Sequence, residues 1–367
     1  MINEKDFITF PQLLSFLFAT QVGTGILTLP RVLIREVGTG GWIAIIMGAF
    51  IVGIGVICIT LLNKLVGDSA FSALPVLLGK PLGWIISIVL IIYLAVLAAV
   101  IHRLFVEVVQ IWFFPSAPNL ILTIFLLVPE VYIVSKGLRV VALYDGLIFI
   151  VIATLALVPL HGVINGNTIF LRPIIIGSAG KLFSGTLKVG TSFLGFEMLL
   201  FLYPEILGKK RQFWAGVGAT ALATFFYVGA FVASVTIFGP AQPAYQVYPL
   251  LEISRTISLP IIERVDLLFG GLWIVSLITT IDGLLITLVK AVETRFHWRN
   301  NISLLVMSIL ITIMSFFSSS LAEAETVAGI VGIVGMVVGV VFPALLLPVA
   351  LLRKGAIRKW QKSKSQS

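Results

Sequence analysis

Two glycine-containing interruptions lie inside apolar segments, and each could hold a small ligand by its backbone. The first, Val-Gly-Thr-Gly at 22–25, divides an apolar segment over 10–33, and the second spans 192–197. Glycine permits backbone angles that break a helix, and a broken helix leaves N–H groups without intrahelical partners. Those donors and the positive end of the helix dipole suit a carboxylate, and the Thr24 hydroxyl adds a polar group.

The two breaks must be positioned by membrane helices. Hydrophobic residues make up 59% of the 367 residues, only 11% are charged, and mean hydropathy is +1.12. Soluble domains carry about 25% charged residues, so the composition indicates a polytopic membrane protein. Ten apolar windows are long enough to cross a bilayer. They lie near 10–33, 40–62, 83–113, 119–135, 140–161, 186–203, 213–238, 266–289, 301–317 and 327–352.

The ten windows form two sets of five, over 10–162 and 186–352, and each set opens with a broken helix. An odd number of spans per set inverts the second set relative to the first. We therefore predict one all-α membrane domain over 1–367, with a 5+5 inverted repeat and a ligand site where the sets meet. A glycine pair that only allows close helix packing is the alternative interpretation of the first break.

Basic residues predict the orientation. Most of the 25 Lys and Arg residues fall on the side of the N-terminus, which places both termini in the cytoplasm. The basic tail over 353–367 is expected to be solvated or to lie against anionic lipid. On the opposite side, the proline-containing segment 239–263 is expected to form a lid of short helices.

Ionisable residues inside the spans are few, and each needs a partner. Arg103 and Glu107 are four residues apart, so they share a helix face and can pair, either as a structural contact or as a gate. Glu197 could close the cavity, receive an ammonium group, or accept from backbone N–H groups near the break. The three histidines have no ligand-like spacing, so no metal or other cofactor is expected. No hydrolase, metalloprotease or phosphate-loop motif is present, which disfavours an enzyme.

Particular stretches resemble a known family. Residues 23–30, Gly-Thr-Gly-Ile-Leu-Thr-Leu-Pro, are similar to helix 1 of the amino acid, polyamine and organocation permeases, and Ser-Phe-Leu-Gly-Phe-Glu at 192–197 is similar to their helix 6. More closely, the chain resembles the spore germination permease family, the B subunits of GerA-type germinant receptors. The further supporting residues are Arg31, Leu171-Arg172-Pro173, Pro204-Glu205, Ile262-Glu263-Arg264 and Trp273.

The resemblance implies a leucine-transporter-like fold and a subunit that senses a germinant in the inner membrane of a spore. It implies two partners, an A-type membrane subunit and a C-type lipoprotein. The ligand would be a small amino acid, although a nucleoside or sugar stays open. A secondary amino acid transporter is the alternative function. In sodium-coupled relatives a hydroxyl pair on helix 8 binds the ion; Thr279 and Thr280 could do so, hold water, or bond to their own helix.

The expected ligand pocket combines the two breaks with residues that the resemblance assigns from helices 3 and 8. Apolar side chains at Leu97 and Leu194 would leave room for a small or medium aliphatic side chain. The expected ligand-binding residues are Gly23, Thr24, Gly25, Tyr93, Leu97, Phe193, Leu194, Gly195 and Thr280.

Overall fold

The computed structural model describes residues 7–23, 25–172, 174, 178–257, 264–318 and 320–366, and these residues form helices and no β-strand. The first α-helices are α1 (Phe10–Gln21), α2 (Gly25–Glu36), α3 (Gly41–Val66), α4 (Leu74–Leu78), α5 (Lys80–Trp112), α6 (Asn119–Ser135), α7 (Leu138–Leu155) and α8 (Leu157–Asn165). The others are α9 (Ala179–Ser192), α10 (Gln212–Phe238), α11 (Pro249–Arg255), α12 (Val265–Phe296), α13 (Asn300–Ser315), α14 (Leu321–Met336), α15 (Phe342–Leu352) and α16 (Lys354–Gln366).

Six helical segments among the described residues are long and apolar enough to cross a membrane, and the α1–α2 pair, bent by 50°, adds a seventh. Two shorter apolar helices, α6 and α13, occupy two further predicted windows. The window near 186–203 holds α9 followed by a 3-10 segment, Phe196–Leu200. The chain is thus an all-helical, multi-pass membrane protein, whereas the count of ten spans is not confirmed.

The first break separates α1 from α2. Before it, α1 starts with a capping box in which the Thr9 backbone N–H donates to Oε1 of Gln12 at 2.8 Å, and Pro11 occupies its first turn. The helix ends at Gln21, and α2 begins at Gly25. The expected ligand residue Thr24 lies outside the described residues.

The second break comes directly after α9. Gly195 has φ +120°, a backbone angle that residues with a side chain rarely adopt, so the chain turns there. The chain then continues as the short 3-10 segment and not as an α-helix. Nearby, a parallel bridge pairs Ile8 with Ile206 and holds the start of α1 beside the end of this region.

The centre of the bundle is α12. Of the residues in its most apolar 18-residue stretch, 78% are buried, whereas the corresponding fraction for the α7–α8 segment is 33%. It packs against α1, α5, α6, α7 and α13. Large apolar side chains such as Phe50 and Phe225 cover the outer surface of the bundle, where lipid would contact them. The first break, at the end of α1, therefore lies beside the most enclosed helix.

The predicted lid segment and the C-terminal tail both contain helices. In the lid segment, α11 packs against α2, α8, α10 and α12, while residues 258–263 lie outside the described ranges. Most described side chains of the C-terminal tail are exposed, which is compatible with the expected solvated or lipid-bound segment, but the tail is also folded and docked on the bundle. It forms α16, which contacts α4 and α15, buries Ile357, and donates from Gln361 Nε2 to the Val66 carbonyl at 2.5 Å. The helix C-terminus of α3 offers this carbonyl without an intrahelical partner, which explains the docking.

Candidate functional site

One tyrosine holds the two helix ends together. The hydroxyl oxygen of Tyr227, on α10, lies 2.7 Å from the carbonyl oxygens of both Gln21 and Ser192, and its single hydrogen can be donated to either one. These are the last residues of α1 and α9, whose carbonyls lack intrahelical partners. Tyr227 is fully buried. The sequence does not single out this residue, because a tyrosine in an apolar span carries no local sign of which carbonyls it will meet.

The glycines at the first break allow close approach of neighbouring helices. A methyl group on Gly23 would lie 2.7 Å from Oγ1 of Thr280, and one on Gly25 would lie 2.9 Å from Oγ of Ser192. Both glycines also border a cavity between the helices. The structure is therefore compatible with both interpretations of this break, close packing and a ligand site.

At the second break, Glu197 accepts two hydrogen bonds. The Gly195 N–H donates to its Oε2 at 2.7 Å, and the Tyr93 hydroxyl donates to its Oε1 at 2.8 Å. Glu197 is fully buried. Of the three possible uses of this carboxylate, the geometry supports acceptance from the backbone at the break, and Tyr93 is a second donor that links α5 to it.

A cavity of about 790 Å³ extends from the breaks along α2, α9 and α14, as far as Arg31, Ser184 and Leu321. This volume is within the range of about 300–1,000 Å³ that is usual for small-molecule sites. Five expected residues line it: Gly23, Gly25, Leu97, Leu194 and Thr280.

Three other expected residues, Tyr93, Phe193 and Gly195, are placed beside this cavity and not on its walls. Tyr93 is turned to Glu197. The Phe193 ring packs edge-on against Tyr227, with 5.1 Å between the ring centroids. A methyl group on Gly195 would lie 2.9 Å from Cγ2 of Thr20, so α1 covers this position.

Charged side chains line the end of the cavity away from the breaks. Arg31 of α2 forms an ion pair with Glu325 of α14, and both residues line the cavity. Lys188 also lines it and pairs with Glu36 at 2.5 Å. Tyr248, just before α11, completes this end. The Arg31–Glu325 contact joins residues 294 positions apart, so spacing in the sequence could not reveal it.

Thr279 and Thr280, the hydroxyl pair on α12, make different sets of contacts. Thr279 Oγ1 donates to the Ser276 carbonyl of its own helix at 2.6 Å, as expected for a structural hydroxyl. Thr280 Oγ1 is 3.4 Å from the Ala19 carbonyl of α1 and faces the cavity. Thr279 Oγ1 is also 3.4 Å from the Ala19 carbonyl, so both hydroxyls approach α1, and Thr280 is the one of the pair that borders the cavity.

Arg103 and Glu107 form the ion pair that their spacing predicts. Both side chains are buried, and neither lines the cavity. Leu104 and Val108, on another face of α5, line it instead. The geometry supports a structural pair within α5 and not a gate over the cavity.

Comparison with solved structures identifies the fold. The crystal structure of MhsT in complex with L-phenylalanine superposes with a TM-score of 0.68 at 16% identity, covering 94% of this chain and 91% of that one. This similarity gives the chain the leucine-transporter-like fold that the sequence predicts.

Comparison with other sequences identifies the family. Spore germination protein GerQB of Bacillus cereus is 27% identical over 92% of this chain and 94% of its own length. Spore germination protein KB of Bacillus subtilis is 24% identical over 99% of both chains. The sequence model described as "Spore germination protein" matches residues 7–326. The chain therefore belongs to the spore germination permease family.

Proposed function

We propose that this chain is the germinant-sensing subunit of a spore germinant receptor and binds a small amino acid between its broken helices. The observation that carries this proposal is that helix ends of opposite polarity border one cavity. The first turn of α2 contributes Gly25 and Thr28, while the last turns of α1 and α9 contribute Gln21 and Ser192.

An amino acid matches this arrangement because it carries both charges. The N-terminus of α2 provides unpaired N–H groups and a partial positive charge for the carboxylate. The C-terminal ends of α1 and α9 provide carbonyls and partial negative charge for the ammonium group. Leu97 and Leu194 provide an apolar wall for an aliphatic side chain. The L-phenylalanine bound by MhsT supports the same class of ligand.

Signalling requires that the ligand bind one conformation better than another. The Arg31–Glu325 pair and Tyr248 border the cavity far from the breaks, so a movement of α2 against α14 would change access. A ligand held by both α2 and α9 would favour the conformation in which these helices approach each other. In this proposal the chain works with an A-type membrane subunit and a C-type lipoprotein in the spore inner membrane.

The proposal also includes the predicted organisation. The chain would be a single membrane domain with inverted repeats over 10–162 and 186–352 and with cytoplasmic termini. It would not be an enzyme. A deletion of its gene in the source organism tests the function: the spores should lose their response to at least one amino acid, and a wild-type copy should restore it. If the spores are tested with each of the common amino acids, an unchanged response to all of them would contradict the proposal.

The alternative is a secondary amino acid transporter, which the fold shared with MhsT favours. A receptor changes state when it binds its ligand, whereas a transporter also releases the ligand on the other side. Uptake of radiolabelled amino acids into proteoliposomes that contain the purified chain distinguishes them. We expect binding without concentrative uptake. Sustained uptake above the external concentration would establish the transporter.

A further inference from the structure

Four titratable side chains from four helices are buried together in the bundle, away from the ligand cavity. His102 lies on α5, Glu130 on α6, Asp145 on α7 and Asp282 on α12, and each is 0% exposed. None of them lines the cavity. The sequence places the three acids inside apolar spans, but it does not show that they meet, because the members of the cluster come from segments as much as 180 residues apart.

Helix packing brings the four residues into one part of the bundle, since α12 packs against α5, α6 and α7. His102 Nε2 is 3.2 Å from the Thr123 carbonyl, which places the ring hydrogen on this nitrogen and turns Nδ1 towards Glu130. Nδ1 is 3.4 Å from Oε2 of Glu130. Asp282 lies on α12 and Asp145 on α7, and these two helices pack against each other and against α6, which carries Glu130.

The carboxylates lack hydrogen-bond donors. Among the described residues, none donates in hydrogen-bond geometry to either oxygen of Glu130, Asp145 or Asp282, and His102 Nδ1 is also without a hydrogen bond. Tyr144, next to Asp145 on α7, donates to the Val275 carbonyl at 3.3 Å and to none of the three acids.

The bases on the helices of the cluster are engaged elsewhere or exposed. On α12, Arg295 donates to the Phe71 carbonyl and Lys290 pairs with Glu293. Lys80 of α5 and Arg139 of α7 are exposed. α1 and α13 contain no titratable side chain. On α5, Arg103 pairs with Glu107, and on other adjoining helices Arg255 pairs with Asp266 and Glu325 pairs with Arg31. A buried ionised carboxylate is tolerated only when it is paired or hydrogen-bonded, and here the acids outnumber the bases.

We propose that His102, Glu130, Asp145 and Asp282 form a proton-binding site inside the bundle, distinct from the ligand cavity. A proton bound to a buried carboxyl group neutralises it and converts one of its oxygens into a hydrogen-bond donor. A resident metal is disfavoured, since no group of three or more His, Cys, Asp or Glu in the described part of the chain is arranged to hold one.

Infrared spectroscopy of the purified full-length chain in lipid nanodiscs tests the proposal, with protons as the only probe. Protonated carboxylic acids have a C=O stretch separate from the carboxylate bands. At neutral pH the wild-type protein should show this stretch, and raising the pH should remove it. Asp145→Asn, Asp282→Asn and Glu130→Gln should each lower its amplitude. Absence of the stretch from the wild-type protein would overturn the proposal.

Glu252→Gln is the matched control, because it removes a carboxylate that pairs with Arg255 at the surface, and it should leave the amplitude unchanged. The three cluster variants are measured separately, so a variant that fails to fold leaves two others. Full amplitude in the folded variants would overturn the proposal. A second arm replaces choline chloride with sodium chloride at constant pH, and we expect no change. Loss of the stretch on adding sodium would assign the site to that ion and overturn the proton assignment.

Discussion

Arg31 of α2 and Glu325 of α14 form an ion pair in the wall of the cavity that also contains the two helix breaks. The arginine side chain is 10% exposed and the glutamate side chain 33% exposed, so water screens the pair only in part. The contact connects the second half of a broken helix to a long helix. It is therefore suited to hold the two together in one of the conformations between which a receptor switches.

Breaking this pair should change ligand sensitivity. We expect Arg31→Gln and Glu325→Gln each to shift the half-saturating germinant concentration by about 5- to 150-fold, the usual range for a coupling free energy of ~1–3 kcal/mol. The double reversal Arg31→Glu with Glu325→Arg should recover most of the shift. Dose–response curves of spore germination measure this. Loss of the surface pair with Arg255 through Glu252→Gln is the control. A reversal no better than the single changes would contradict a role for the Arg31–Glu325 pair.

Arg103 and Glu107 should behave as a structural pair. Removing one partner leaves a buried charge, which typically costs ~3–5 kcal/mol. Arg103→Met or Glu107→Met alone should therefore deplete the protein from the membrane, whereas the double replacement should restore its abundance. Quantitative immunoblots of membrane fractions provide the measurement. Continued depletion of the double variant would show that the two residues have separate roles.

Gly25→Ala should block the germinant response while leaving abundance near normal. The added methyl group would lie 2.9 Å from Oγ and 3.0 Å from Cβ of Ser192, and it would stand at the start of α2, where the carboxylate is expected. Gly53→Ala is the matched control, because a methyl group there meets nothing within 4 Å. Both variants are compared in germination assays at equal abundance. An unchanged response in the Gly25 variant would remove this glycine from the site.

Leu97 and Leu194 should set the size of the accepted side chain. Shrinking either to Ala should admit larger germinants, and enlarging either to Phe should exclude the native one. One or two methylenes are worth only ~1–3 kcal/mol, so the effective concentration should shift by about 10- to 200-fold. A dose–response series with glycine, alanine, valine and leucine tests this. Parallel losses for all four amino acids, with their order intact, would show that both leucines only support the fold.

For Leu194, the structure adds a constraint on the enlarged variant. A methyl group on Gly335 would lie 2.5 Å from its Cδ2, which shows how closely this side chain packs on α14. Leu194→Phe should therefore lower abundance more than Leu97→Phe does. The smaller alanine variants are the safer test of size selectivity at this position.

The helices and their breaks could be predicted because they depend on local patterns. Runs of apolar residues mark the spans, and glycines at 23, 25 and 195 mark the interruptions. The contacts that shape the site could not be predicted, because they join distant segments. The Tyr227 hydroxyl meets Gln21, 206 residues away, and no local pattern encodes this contact.

The same reasoning separates the expected site residues. Gly23, Gly25, Leu97, Leu194 and Thr280 line the cavity because the breaks and the central α12 fix their positions. Tyr93 was expected there as well, but its hydroxyl donates to the buried Glu197. A buried carboxylate requires hydrogen-bond donors, and the Tyr93 hydroxyl is one of them. The sequence does not show which side chain will meet this requirement, because the two residues are far apart in the chain.

Equilibrium binding of radiolabelled amino acids to the purified chain in nanodiscs tests the central claim most directly. We predict saturable binding of at least one small amino acid. Leu104→Trp, which fills the cavity from the wall of α5, should abolish that binding. Ile92→Trp on the same helix, at a position 55% exposed on the outer surface, should leave it intact. No saturable binding of any amino acid, or equal binding by both tryptophan variants, would contradict a ligand site between the broken helices.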